Sequence, residues 1–131
     1  MFQILARLFA LAILALPPVL AQDGLPVLTP EERAAQNLAI ATSVQDQLLA
    51  CWVLPPGYEN RSISVRLAFL GDGSLDGDPY IVPESLRTAG KYPELIGSIA
   101  AAIDGCLPFQ GLEALGAQAG ERFDITVHFS S

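Results

Sequence analysis

Two segments of the chain alternate apolar and polar residues with the period of a strand, and two others repeat apolar residues at the three-and-four spacing of a helix. From Ser62 to Phe69, Ile63, Val65, Leu67 and Phe69 fall on one side while Ser62, Ser64, Arg66 and Ala68 fall on the other. Near the carboxyl end Phe123, Ile125, Val127 and Phe129 alternate in the same way with Asp124, Thr126, His128 and Ser130. Each pattern predicts a strand with one face turned to a core. Gly71-Asp72-Gly73 tolerates the positive φ that a reversal needs, so residues 75–82 are expected to return as a second, proline-interrupted strand.

The helical segments carry their own start signals. Thr29-Pro30-Glu31-Glu32 offers an N-cap, a proline at the first helical position and a glutamate three residues beyond the cap. Leu38, Ala41, Val44, Leu48 and Cys51 or Trp52 then draw an apolar stripe that ends before Pro55-Pro56-Gly57. Trp52 reads as a plug at the helix end, with a ligand platform as the other reading. Tyr92-Pro93-Glu94 opens a second helix in which Leu95, Ile96, Ile99, Ala102, Ile103 and Cys106 share a face, and Gly105 or Pro108 stops it. The stretches 83–90 and 110–120 lack a clear period and are expected as loops with no more than short helical turns.

The order helix, strand, strand, helix, strand predicts an α+β domain over residues 30–131. Its simplest form is a small three-stranded antiparallel sheet of order two, one, three, with two main helices packed on it. The most apolar strand then sits in the middle and the last strand lies at an edge.

The first twenty-one residues read as an address label and not as fold. Leu8 to Leu20 is almost wholly apolar, Arg7 supplies positive charge ahead of it, and Val19-Leu20-Ala21 places small residues before Gln22. Cleavage after Ala21 leaves residues 22–29 as a short leader. The alternative is an uncleaved anchor, against which stand the shortness of the run and Pro17-Pro18. No cysteine follows the cleavage site, so no lipid anchor is expected there.

Charge and cysteine content narrow the function classes. The chain has 14 acidic and 7 basic residues, and loss of Arg7 shifts its formal charge from −7 to −8. So acidic a surface argues against nucleic acid or an anionic membrane as main partner, and favours a basic protein partner or plain solubility. Cys51 and Cys106 are an even pair in a chain expected to be exported, and the first reading is a disulfide; free thiols or a catalytic role are the alternatives. Direct connections would leave the two helix ends far apart. The linkers at 83–92 and 107–121 are what allow the sulfurs to meet.

Candidate chemistry is sparse. Asp72, Asp76 and Asp78 crowd one turn, but their spacing is not that of an EF-hand and the motif occurs once, so a solvated turn is expected and no metal. His128, the single histidine, lies on the polar side of the last strand, where an exposed residue is expected over a catalytic base. No nucleophile elbow and no glycine-rich phosphate cradle occurs. No cofactor is expected. Asn60-Arg61-Ser62 fits a glycosylation sequon, a pattern common by chance.

Taken in order, Cys51-Trp52-Val53-Leu54-Pro55, Val65-Arg66-Leu67, Asp72-Gly73-Ser74-Leu75 with Gly77 and Pro79, Ala100-Ala101-Ala102-Ile103, and Cys106-Leu107-Pro108-Phe109 resemble a known domain. It is the periplasmic C-terminal domain of TolA as found in alphaproteobacteria, within the TonB and TolA energy-transducer superfamily. The resemblance covers residues 30–131. It implies a three-stranded sheet packed by helices, with the two cysteines bonded, in a Gram-negative periplasm. It also implies a protein-binding module and not an enzyme, with TolB or a similar envelope protein as partner, taken up by addition of a strand to an open sheet edge.

On that reading the edge is Phe123, Asp124, Ile125, Thr126, Val127, His128 and Phe129, with Asp124, Thr126 and His128 tuning specificity. A proline at Val127 would remove one ladder donor from it. The mature form is expected as a monomer without a membrane span. Residues ahead of the match hold neither the anchor nor the helical stalk of a full TolA, and the aromatic pair expected before the last strand is missing from 111–120. Force transduction is therefore not part of the expectation. A structural or inhibitor-like envelope protein sharing the fold alone is the alternative.

Overall fold

Helix α1 (Pro30–Cys51) begins at a reciprocal cap. Thr29 Oγ1 accepts from the Glu32 N–H at 3.0 Å, and Glu32 Oε1 accepts from the Thr29 N–H at 2.9 Å, which satisfies two donors that the first turn would otherwise leave free. The computed structural model describes residues 27–131, so the signal peptide expected over 1–21, and most of the leader, lie outside the described residues. The buried stripe of α1 is Ile40, Val44 and Leu48, spaced four apart. This corrects the expected stripe at its start: Leu38 is 68% exposed. Residues two positions apart on a helix are separated by about 200° around its axis, so Leu38 and Ile40 cannot share the core face.

Strand β1 (Ser62–Leu70) forms as its alternation predicts, with Ile63, Val65, Leu67 and Phe69 all buried. The chain reverses through Gly71-Asp72-Gly73, where the Leu70 N–H donates to Ser74 O at 2.8 Å. Gly73 has φ +93°, and a Cβ there would collide with the backbone of Phe109, whose N–H donates to Gly73 O at 2.9 Å. The turn is thus fixed both by its own backbone and by the loop lying against it.

The returning strand β2 is only Tyr80–Ile81, with one further bridge between Phe69 and Leu75. The eight-residue strand expected over 75–82 is shortened because Gly77 takes φ +99° and Pro79 has no N–H to give to a ladder. Beyond it a 3-10 turn at Pro83–Ser85 leads into the short helix α2 (Leu86–Lys91) and then α3 (Pro93–Cys106). Leu95, Ile99, Ala102 and Ile103 of α3 are buried, as the period predicts.

A loop over 107–121 carries one 3-10 turn and returns the chain to β3 (Arg122–Ser130). Gln47 pins this loop from α1. Its Nε2 donates to Gln110 O at 2.8 Å and its Oε1 accepts from the Gln110 N–H at 2.9 Å.

The sheet has the order β2-β1-β3, antiparallel throughout, as expected. β1 and β3 pair along their whole length, from Ser62 opposite Ser130 to Leu70 opposite Arg122. This register puts Phe69 against Phe123, whose rings stack at 5.5 Å, and buries Val127 and Phe129 beside them. α1 and α3 pack on this apolar face and on each other. Their carboxyl ends are joined by the Cys51–Cys106 disulfide, with Cα atoms 6.1 Å apart. Such a bond fits an oxidising, extracytoplasmic compartment. Trp52 plugs the same end: its ring meets Phe129 edge-on at 5.3 Å, and its Nε1–H donates to Ser98 Oγ at 2.9 Å.

Candidate functional site

The strand order leaves β3 at one margin of the sheet, and the pairing decides which of its backbone groups are spare. The Val82 N–H donates to Ser64 O and the Asp76 N–H to Ala68 O, so even-numbered residues of β1 address the β2 side. Odd-numbered residues of β1 therefore bond to β3, as the Gly71 N–H does to Glu121 O at 2.8 Å just beyond the strand ends. Across this register the odd residues of β3 bond inward. Asp124, Thr126, His128 and Ser130 turn their N–H and C=O outward. This corrects one sequence-based expectation: the Val127 N–H belongs to the β1 ladder, so a proline there would damage the sheet and not the open edge. The residue whose donor serves the edge is Thr126.

One outward donor is already taken. The His128 N–H donates to Gln45 Oε1 of α1 at 3.3 Å. Asp124 and Thr126 have no such backbone partner among the described residues. Beside them α1 stands back from the strand, and a notch of about 220 Å³ opens between Arg33, Asn37 and residues 121–125. Arg33 Nη1 closes its outer end on Glu121 Oε2 at 2.8 Å. The open part of the edge is its first half.

The opposite margin is built differently. β2 offers two residues between Pro79 and Pro83, and Ser85 Oγ accepts the Ser64 N–H that β2 does not reach, at 2.9 Å. Ser85 is a buried polar residue, and this bond accounts for its place. Short length, flanking prolines and a side-chain cap are the ordinary means of blunting an edge.

The helix-free face of the sheet is a ladder of cross-strand polar pairs. Ser62 and Ser130 hydroxyls lie 3.0 Å apart, Ser64 Oγ lies 2.7 Å from His128 Nδ1, and Arg66 donates to Asp124 at 2.5 Å and to Thr126 Oγ1 at 3.2 Å. Arg122 adds a hydrogen bond to Asp76 at 2.6 Å and an ion pair with Asp124 at 3.6 Å. These ion pairs are half in solvent and each contributes about 0–1 kcal/mol. Their larger effect is to fix what a partner meets: the side chains of Asp124, Thr126 and His128 all stand on this face, on the strand with the open edge.

His128 is exposed, and its bond to Ser64 leaves the ring without an orienting carboxylate among the hydrogen bonds of the described residues. The acidic turn is equally committed to structure. Asp72 Oδ1 accepts from the Ser74 N–H at 2.9 Å and from its hydroxyl at 2.6 Å, and Asp76 pairs with Arg122. The Ser74 hydroxyl, followed by the Ser74 N–H, holds the Asp72 carboxyl below the usual carboxylate range. Among the described residues no group of three His, Cys, Asp or Glu is placed to hold a metal ion. No helix among them is long and apolar enough to cross a membrane.

No curated protein and no solved structure matches the chain. Over residues 34–131, well beyond half its length, the chain matches the family described as Uncharacterised conserved protein UCP034077, and it belongs to that family.

Proposed function

We propose that the chain is a protein-binding module of the Gram-negative cell envelope, acting in the periplasm and taking up a partner strand along the open edge of β3. The observation that carries this reading is the asymmetry of the two sheet margins. The outer edge of the nine-residue β3 is left open over its first half, where a two-residue strand at the other side is guarded by prolines and a serine cap. Backbone groups of Asp124 and Thr126 supply the ladder, and a strand laid there adds two or more hydrogen bonds without rearranging the sheet. Resemblance to the TolA C-terminal domain supports the choice of a TolB-like envelope protein as partner. Disulfide chemistry is compatible with the periplasm.

Affinity capture from a periplasmic extract tests the reading with three baits: the chain itself, Thr126→Pro and Val127→Thr. Thr126→Pro removes an outward donor and is expected to lose the partner. Val127→Thr perturbs the core face, keeps every backbone donor, and is expected to retain it. Undiminished capture by a folded Thr126→Pro bait would reject β3 as the docking edge.

A further inference from the structure

Because β2 ends after two residues, the hairpin arm that contains it stands apart from α3 and the two enclose a cleft of about 480 Å³. Buried Val65, Ile99 and Ile103 form its floor. On the α3 side Ile96, Ala100 and Asp104 follow one another at every fourth position, so they make a single row along the helix. Eight helical residues span about 12 Å. That length suits about three or four residues of extended chain at roughly 3.3 Å each.

The charge of the cleft is one-sided. Asp78 stands on the arm and Asp104 on the helix, no basic residue lines the space, and neither carboxylate forms an ion pair among the described residues. The chain as a whole carries −7, which deepens the attraction for a cation. A main-chain contact is also on offer. Even-numbered residues of β2 face β1, as the bond from the Val82 N–H to Ser64 O shows, so the N–H and C=O of Ile81 point away from the sheet beside the cleft.

We infer that this cleft binds a short extended peptide segment of a basic partner, one that carries aliphatic side chains between lysines or arginines. The aliphatic groups fill the space over Ile99 and Ile103, the cations meet Asp78 and Asp104, and Ile81 supplies the backbone bond. An acidic segment of the same shape meets two like charges. This site lies at the margin opposite β3 and does not depend on strand addition there.

The test is a nitrogen-15 NMR titration of the intact chain with acetyl-Lys-Leu-Leu-Lys-amide, its acidic twin acetyl-Glu-Leu-Leu-Glu-amide, and n-hexylamine. The basic peptide is expected to bind with a Kd on the order of 1 mM or below and to shift the amides of Leu75, Ile81, Ile99 and Ala100 saturably. The doubly substituted Asp78→Asn, Asp104→Asn chain, altered only at exposed positions, is expected to bind about tenfold more weakly, as is the unaltered chain in high salt. The acidic twin is expected to give no saturable shift. Equal response to both peptides, shifts confined to β3, no saturable shift, or unchanged affinity in the double variant would each overturn the inference. So would n-hexylamine binding as tightly as the basic peptide, which would mark a site for amphiphilic amines and not for a peptide.

Discussion

Asp72 shows how little of an acidic turn need be devoted to ligands. Its carboxylate is consumed by the two bonds from Ser74, and these hold its pKa below that of a free side chain. A depressed carboxyl favours the folded turn above the unfolded pKa, and the contribution is lost as the pH falls through the folded one. We expect the Ser74 amide resonance to titrate with that folded-state value and its protection from hydrogen exchange, taken against the intrinsic rate at each pH, to fall on acidification. A Ser74 amide indifferent to the Asp72 titration would contradict the turn as described. Tyr58 works in the opposite sense: its hydroxyl donates to Glu94 at 2.7 Å, which pushes the phenol up, so its contribution is present below the unfolded value and lost as the pH rises through the folded one. None of the three carboxylates of the acidic turn announces its role in the sequence, since Asp72, Asp76 and Asp78 look alike there and only their neighbours in space, Ser74, Arg122 and the open cleft, tell them apart.

Among the elements, α1 is the one whose start is written most plainly. Thr, Pro and Glu at 29, 30 and 32 announce the cap, and both of its hydrogen bonds are present. Replacing Thr29 by Ala is expected to cost about 1 kcal/mol, read as a lowered urea midpoint at unchanged slope. An unchanged midpoint would mean that the first turn is held by the Arg33 to Glu121 pair instead. The face of each strand was equally legible, because alternate residues necessarily point to alternate sides. Which strand residues spend their backbone bonds inward was not. That phase depends on the register with β1, and a register is a property of two segments, which is why Val127 and Thr126 exchange roles once the pairing is known. β2 is shorter than its apolar pattern suggests for a related reason: Leu75 and Ile81 fit a strand pattern, but Gly77 and Pro79 between them break the ladder.

At the scale of the whole molecule the disulfide is the long-range restraint. It joins residues 55 apart and ties the carboxyl ends of α1 and α3 over the same face of the sheet. On the chain-entropy argument a loop of this length stabilises the fold by about 4 kcal/mol. The Cys51→Ala, Cys106→Ala chain is therefore expected to unfold at distinctly lower denaturant, and reduction of the unaltered chain to lower its midpoint by a similar amount. Equal midpoints before and after reduction would leave the helices held by packing alone. The pairing itself is legible from an even cysteine count together with an amino-terminal stretch that reads as an export signal; the connection through α2 that brings α3 alongside α1 is not, because residues 83–90 carry no helical period of their own. The cleft was hidden from the sequence for the same kind of reason, being assembled from residues 75–81 and 96–104 that meet only in the fold.

The strand order has one more consequence. With β1 in the middle, the open border of β3 and the hollow under β2 are separated by the breadth of three strands, about 10 Å between the outer strand axes. A segment zipped to the one and a segment seated in the other would not compete for room. On the two proposals made above, the arrangement would serve as a coupler, holding two different chains at once and keeping them a fixed distance apart.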